Sequence, residues 1–158
     1  MKLTISFILL FSANVFSQWV NLNPIQPFED LNKIDFIDQN TGWIVGNQGI
    51  VLHTSDGGMN WVYRNTPSAN LINIDFVNVN TGYVSSESNI MFKTTNGGVN
   101  WSQLDMNSYL PIRSYYFADA NTGIVCAGEN LIKTTNGGAN WNTILTGGGR
   151  YFLYTFFI

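Results

Sequence analysis

The chain has very little of what metal sites and nucleophilic sites are built from. Its 158 residues include one cysteine, Cys126, and one histidine, His53. A single cysteine cannot form an intrachain disulfide. One cysteine and one histidine offer no His/Cys spacing for a metal site and no Ser/His/Asp or Cys/His catalytic arrangement. We therefore expect no metal site, no cofactor and no catalytic residue, and we expect Cys126 to be a small buried side chain in its apolar run.

Charge is also scarce. Charged residues make up 11% of the sequence, and the formal net charge is −3. The charges are scattered, so the chain has no electrostatic footprint for nucleic acid or an anionic membrane. Its Gly-Gly pairs lie in turns rather than before helices, which argues against a phosphate-binding loop. These absences exclude nucleic acid as a partner.

Aromatic residues and glycine are plentiful, whereas no long amphipathic helical pattern occurs. The sequence is 15% aromatic and contains 15 glycines, and it is rich in Asn and Thr. This composition is typical of a β protein with many tight turns. The expected fold class is therefore all-β.

The first 17 residues have the pattern of a secretory signal peptide. Lys2 gives a positive start, Leu3–Phe11 is apolar, and Val15 and Ser17 fit the positions before a cleavage point at Gln18. The alternative is an uncleaved membrane anchor, but the apolar run is shorter than the ~20 residues a helix needs to span a bilayer. The pattern predicts a secreted, periplasmic or cell-surface protein with no membrane span after cleavage.

An octapeptide recurs every 40 residues. It reads TSDGGMNW at Thr54–Trp61, TTNGGVNW at Thr94–Trp101 and TTNGGANW at Thr134–Trp141. Two further markers keep step with it: an aromatic at Phe36, Phe76 and Phe117, and an Asn-Thr-Gly ending at Gly42, Gly82 and Gly123. A period of about 40–45 residues is typical of propeller blades.

Each repeat predicts four short antiparallel strands. The first strands are expected at Lys33–Ile37, Asn73–Val77 and Ser114–Ala118. The second are expected at Trp43–Gly46, Tyr83–Ser86 and Ile124–Ala127. The third are expected at Ile50–His53, Ile90–Lys93 and Leu131–Lys133, and each fourth strand begins at the octapeptide Trp. Four strands in about 40 residues make one blade, so we predict an incomplete β-propeller over 18–158, with three blades at about 31–70, 71–110 and 111–150.

The octapeptides fit the Asp-box pattern Ser/Thr-x-Asp/Asn-x-Gly-x-x-Trp, also called the bacterial neuraminidase repeat. Together with the Phe and Asn-Thr-Gly markers, each repeat resembles those of the photosystem II assembly/stability factor-like propellers, over roughly 19–158. The resemblance implies that the octapeptide forms the hairpin between the third and fourth strands. It also implies a scaffold or interaction role.

The chemistry of the octapeptide favours structure over catalysis. Two of its three copies carry Asn where an acid or nucleophile would need a carboxylate, whereas a turn needs only an acceptor. Glycine supplies positive φ, and the Trp is expected to cover the turn and pack between blades. The predicted structural Asp-box residues are Thr54, Asp56, Gly58, Trp61, Thr94, Asn96, Gly98, Trp101, Thr134, Asn136, Gly138 and Trp141.

Partial strands are expected at both ends of the chain. Trp19 resembles the start of a lone fourth strand, and Tyr151–Ile158 resembles the first strand of a fourth blade. The simplest interpretation is a truncated member of the family. The alternative is a three-blade protein that closes its ring by oligomerising.

The expected function is that of a non-catalytic, exported propeller that acts as a scaffold or binding module for protein or glycan. The alternative is a fragment of a propeller glycoside hydrolase, sialidase-like or other, with its catalytic residues mostly in missing blades. Arg64, Arg113 and Arg150 are the arginines available for a sialidase-like triad, and we interpret them as solvated. Asp35 and Asp75 could form an acid/base pair or hydrogen-bond near the central channel; the third repeat has Tyr116 there.

Overall fold

The part of the chain that the structure describes is built almost entirely of β-strands. A computed structural model describes residues 29–64, 69–106 and 111–147, and these contain twelve strands and one short 3₁₀ turn at Asn47–Gly49. The predicted signal peptide and the predicted strands at Trp19 and at Tyr151–Ile158 lie outside the described residues, so they stay predictions.

The strands form three antiparallel sheets, each with its strands in chain order. The first sheet contains β1 (Leu31–Phe36), β2 (Gly42–Gly46), β3 (Val51–Thr54) and β4 (Val62–Arg64). The second contains β5 (Leu71–Phe76), β6 (Gly82–Ser86), β7 (Met91–Thr94) and β8 (Ser102–Leu104). The third contains β9 (Ile112–Phe117), β10 (Gly123–Ala127), β11 (Asn130–Thr134) and β12 (Asn142–Thr146). The predicted fold class, three four-stranded antiparallel propeller blades, is confirmed.

Strand boundaries differ slightly from those expected. The first strand of each blade begins two residues early, because a bulge lets the strand continue pairing past an irregular register, as between Leu31 and Lys33. The fourth strand begins one residue after the octapeptide Trp rather than at it, for example at Val62. Because β9 begins at Ile112, Arg113 lies inside this strand.

The ring of each marker Phe lies against the Gly of the Asn-Thr-Gly marker on the neighbouring strand. Phe36 at the end of β1 pairs with Gly42 at the start of β2. A Cβ at Gly42 would lie 2.7 Å from the Phe36 ring, and in the second and third blades the corresponding distances are 2.6 and 2.4 Å. Only glycine lets the ring lie across the neighbouring strand, which explains why the two markers keep step.

The hydrophobic core lies between blades. Two buried clusters span the gaps between adjacent sheets. The first joins Trp43, Val45 and Val51 of the first blade to Leu71, Ile74, Phe76, Val84 and Phe92 of the second. The second joins Tyr83, Met91 and Met106 to Ile112, Tyr115, Phe117, Val125, Ala127 and Ile132. Cys126 is a fully buried free thiol, as predicted.

Candidate functional site

Each octapeptide closes a hairpin between the third and fourth strands of its blade through hydrogen bonds among its own residues. Thr54 Oγ1 accepts a hydrogen bond from the Gly58 backbone N–H at 2.9 Å and donates one to Asp56 Oδ1 at 2.8 Å. Asp56 Oδ1 also accepts the Asn60 backbone N–H at 2.9 Å. That backbone N–H lowers the pKa of the exposed Asp56 carboxyl, so the group is ionised at neutral pH and is no proton donor.

The two octapeptides that carry Asn make the same contacts. Thr94 Oγ1 lies 2.9 Å from Gly98 N and 3.0 Å from Asn96 Oδ1. The equivalent distances in the third blade, around Thr134, are 2.9 and 3.1 Å. An amide oxygen in the second and third blades therefore accepts the same hydrogen bonds as the carboxylate in the first. The turn does not need an ionisable group at this position.

The octapeptide Trp lies edge-on against the marker Phe of its own blade. The ring centroids of Phe36 and Trp61 are 6.1 Å apart and their planes nearly perpendicular, and the other two pairs repeat this at 6.1 and 6.3 Å. Trp101 Nε1 donates to the Gly98 carbonyl at 3.1 Å. Trp101 and Trp141 are half-buried and pack against the core clusters between blades.

A second aromatic stacks across each blade interface. The Trp43 ring lies flat on Phe76 of the next blade at 3.6 Å, and its Nε1 donates to the Gly97 carbonyl at 3.1 Å. In the next interface Tyr83 stacks on Phe117 at 3.4 Å, and its hydroxyl donates to the Ala120 carbonyl at 2.9 Å. Blade contact thus combines ring stacking with a hydrogen bond to a turn of the neighbour.

Lys93 strengthens the interface between the second and third blades. Its Nζ donates to the Ala120 carbonyl at 3.2 Å and to the Gly137 carbonyl at 3.1 Å. It also lies 5.5 Å from the centre of the Tyr83 ring. Burial lowers the pKa of the Lys93 ammonium.

Asp35 and Asp75 link neighbouring inner strands. Asp35 Oδ2 accepts the backbone N–H of Phe76 at 2.7 Å, and Asp75 Oδ2 accepts that of Phe117 at 2.9 Å. Burial raises the pKa of both carboxyls, and for Asp75, which also faces the charge of Asp35, the pKa is raised to about 6. Sequence reasoning singled out these residues but missed their partners, which lie 41 and 42 positions further along the chain.

A polar hollow of about 400 Å³ lies at the inner edge of the three blades. The residues that line it include Lys33 of β1, Asp75 of β5, and Arg113, Ser114 and Tyr116 of β9. Ser114 Oγ is buried, and among the described residues it has no hydrogen-bond partner. The hollow therefore combines two cations, a carboxyl of raised pKa and an aromatic ring.

The arginines considered for a sialidase-like triad do not meet in the described residues. Arg113 lines the inner hollow, whereas Arg64 lies on the outer strand, with its Nη2 3.0 Å from His53 Nδ1. Arg150 lies outside the described residues. His53 is half-buried beside the Trp43 ring, and burial, followed by the Arg64 charge, lowers its pKa.

The described residues contain no group of three or more His, Cys, Asp or Glu side chains placed to hold a metal ion. Within the same ranges, no helix has the length and apolar character that crossing a membrane requires.

Comparison with known proteins gives a family match and several similar structures. The sequence profile of the family described as photosynthesis system II assembly factor YCF48 matches residues 12–148. The structure described as YCF48 bound to D1 peptide is 27% identical, with a TM-score of 0.64, and the match covers 73% of this chain and 39% of that chain. YCF48 from Cyanidioschyzon merolae is 28% identical, with a TM-score of 0.68, over 77% and 39% of the respective chains.

A more distant likeness concerns the fold alone. The crystal structure of an ancestral GH74 enzyme is 17% identical, with a TM-score of 0.60, and the match covers 72% of this chain and 18% of that chain. No curated protein matches the sequence. The chain spans 39% of the length of each of the two YCF48 structures. With three repeats of this architecture and a profile match over 12–148, the chain belongs to the family described as photosynthesis system II assembly factor YCF48.

Proposed function

We propose that the chain is part of a non-catalytic, exported propeller that binds an extended segment of a partner protein in the hollow lined by β1, β5 and β9. The observation that carries this proposal is the hollow itself, because it combines cationic, acidic and aromatic groups on one accessible face. Such a mixture suits a polypeptide, which offers carbonyl and amide groups together with side chains of several kinds.

The family supports a protein partner. A structure 27% identical to this chain is described as YCF48 bound to D1 peptide. A peptide ligand on a related propeller favours the same class of ligand here. The identity of that peptide is not carried over, because fold and family do not fix a partner.

The hollow offers defined contacts to a peptide. Arg113 is exposed and presents a planar set of donors for carbonyl or carboxylate oxygens. Tyr116 and Ile72, which are 36% and 37% exposed, provide apolar area beside it.

Selection from a displayed library of short random peptides, with the full chain immobilised, provides the probe. The selected peptide is then titrated against Lys33→Ala and Arg113→Ala, with Lys133→Ala as the matched control because Lys133 does not line the hollow. Loss of a charged hydrogen bond predicts that Arg113→Ala weakens binding about tenfold. Equal affinity for all variants would place the site elsewhere, and a glycan array on the same protein tests glycan as the alternative ligand.

Export is part of the proposal. The predicted signal peptide at 1–17 supports it, and N-terminal sequencing of protein recovered from outside the cytoplasm of a bacterial host tests it. The expected first residue is Gln18. A mature protein that starts at Met1 would argue against export by cleavage.

A glycoside hydrolase is the second candidate, favoured by one observation. The pKa of Asp75 is raised to about 6 by burial, which is a property that a general acid needs. Against it, Asp75 Oδ2 already accepts a backbone hydrogen bond from Phe117. Release of a fluorophore from aryl glycosides by the full chain, abolished in Asp75→Asn, would favour the enzyme over the binding module.

A further inference from the structure

Two of the three octapeptides contain the dipeptide Asn-Gly, which occurs nowhere else in the chain. These dipeptides are Asn96-Gly97 in the second blade and Asn136-Gly137 in the third, whereas the first blade has Asp56 at this position. Glycine has no side chain to shield its backbone nitrogen, so this nitrogen can attack the amide of a preceding Asn and displace ammonia. The second and third blades therefore each carry a candidate site of deamidation that the first blade lacks.

The geometry of the hairpin favours this dipeptide. Gly97 and Gly137 have φ of 69° and 68°, in the left-handed region that other residues adopt at a cost. A Cβ at Gly97 would also lie 3.0 Å from the Val79 carbonyl oxygen. The residue before the glycine must supply an acceptor, because Asn96 Oδ1 accepts the Asn100 backbone N–H at 2.9 Å. An acceptor side chain followed by glycine is therefore what the turn needs, and Asn-Gly satisfies it.

In the folded turn both reacting groups are held by hydrogen bonds. The nitrogen that would attack belongs to Gly97, and its N–H donates to the Asn80 carbonyl at 2.9 Å. In the third blade the Gly137 N–H donates to the Asn121 carbonyl at 2.8 Å. The amide that would be attacked is fixed by the hydrogen bond that Asn96 Oδ1 accepts. The reaction therefore requires the hairpin to open first.

The preceding blade holds each dipeptide by its glycine carbonyl. Trp43 Nε1 of the first blade donates to the Gly97 carbonyl at 3.1 Å. Lys93 Nζ of the second blade donates to the Gly137 carbonyl at 3.1 Å. Opening of either hairpin therefore breaks a contact across a blade interface, and each of these two interfaces contacts one of the two dipeptides.

We propose that Asn96 and Asn136 are sites of spontaneous deamidation, and that the interface with the preceding blade limits the rate at each site. The backbone nitrogen of the glycine bonds to the Asn Cγ, and the side-chain nitrogen leaves as ammonia with the proton of the glycine N–H. The product is a succinimide ring, which water opens at one carbonyl or the other. Each event thus converts one Asn and one water into one aspartate or isoaspartate and one ammonia.

The two products differ in their effect on the hairpin. An aspartate keeps the acceptor, and Asp56 makes the same contacts in the first blade. An isoaspartate lengthens the main chain by one carbon and leaves its carboxylate on Cα, so the acceptor that fixes the turn is lost. The isoaspartate product should therefore loosen the same blade interface that slowed its formation.

Incubation of the full chain at mildly alkaline pH, followed by peptide mapping with mass spectrometry, tests the proposal. Heavy-oxygen water in the incubation, with digestion in ordinary water, restricts the count to deamidation of the intact protein. Both sites should react more than about tenfold more slowly in the folded chain than in the same chain unfolded in urea, because the hairpin must open first. Equal rates in the folded and unfolded chains would overturn the proposal.

Trp43→Phe tests the interface between the first and second blades, because it removes the hydrogen bond to the Gly97 carbonyl and keeps a ring that can stack on Phe76. Loss of one hydrogen bond should accelerate deamidation at Asn96 by about fivefold. The rate at Asn136 should not change, so this residue is the control within the same molecule.

Lys93→Met is the reciprocal variant. Methionine has a similar length but cannot donate to the Gly137 carbonyl, so deamidation should accelerate at Asn136 and not at Asn96. Circular dichroism melts check that each variant is folded, and one folded variant is enough to decide. Equal acceleration at both sites by a folded variant, or no acceleration at the site that lost its contact, overturns the proposal.

Discussion

The first strands of the first and second blades carry nearly the same side chains in different surroundings. Ile34 and Phe36 of the first blade are largely exposed, whereas Ile74 and Phe76 of the second are almost completely buried. The difference comes from the neighbour: Trp43 stacks on Phe76, and Asp35 accepts its backbone N–H. How much a side chain contributes to the free energy of unfolding thus depends on the neighbouring blade as well as on the residue itself.

The largest predicted effect is a difference in stability loss between alanine variants at Phe76 and Phe36. Phe76→Ala should lower the free energy of unfolding by about 3–5 kcal/mol, since it removes a buried ring that contacts both Trp43 and Trp101. Phe36→Ala, at the equivalent exposed position, should lower it by only about 1 kcal/mol. Urea unfolding measures both losses, and equal losses would show that burial between blades does not make Phe76 more important for stability than Phe36.

Within the octapeptide turn, the Thr hydroxyl should matter more for stability than the choice between Asp and Asn two residues later. Both effects are smaller than that of Phe76→Ala. Thr94→Val removes the acceptor for the buried Gly98 N–H and should cost about 1–3 kcal/mol of unfolding free energy. Asn96→Asp should change it by less than about 0.5 kcal/mol, because Asp56 makes the same contacts in the first blade. Thermal or urea unfolding measures both. A large loss for Asn96→Asp would mean that the two types of turn are not interchangeable.

The inner-strand carboxyls predict a pH dependence that contrasts with that of the exposed turn carboxyls. The pKa of Asp75 rises from an ordinary 3.8 to about 6 on folding, because burial disfavours the charged form. Its contribution to stability is therefore fully present below about pH 4 and is lost as the pH rises through about 6. Asp56 has a lowered pKa, so its contribution has the opposite sign and is lost in acid.

The variant Asp75→Asn isolates this term. The unfolding free energy of the wild type relative to Asp75→Asn should fall between about pH 4 and pH 7, by on the order of 1–3 kcal/mol. Urea unfolding at several pH values measures it. His53 titrates in both proteins and largely cancels in the difference, whereas Asp35, whose charge Asp75 faces, contributes to it. A difference that does not change with pH would mean that Asp75 is not buried as the structure has it.

Most of the fold could be predicted from the repeat period. Three octapeptides and three Phe and Gly markers at constant spacing were enough to place the strands within about two residues, because each marker has a local steric or turn requirement. The chemistry of the octapeptide was also readable, since Asn in place of Asp argues against acid catalysis within a single turn. Local requirements are visible in a single sequence.

Contacts between repeats were not readable. The partner of Asp35 is a backbone N–H 41 residues away, and the stacking partner of Trp43 is a Phe in the next blade. Likewise, Phe36 and Phe76 look alike in sequence and differ only in what covers them. The inner hollow was also missed, because its lining comes from strands of all three blades, of which Arg113 and Tyr116 belong to the third blade.

The central claim is that stacking across the blade interface holds neighbouring blades together. A double-mutant cycle of Trp43→Leu and Phe76→Leu, measured by urea unfolding, tests it most directly because it isolates the contact between the two rings. The stacked geometry predicts a favourable coupling of about 0.5–1.5 kcal/mol. Strictly additive losses, with no coupling between the two rings, would contradict the claim.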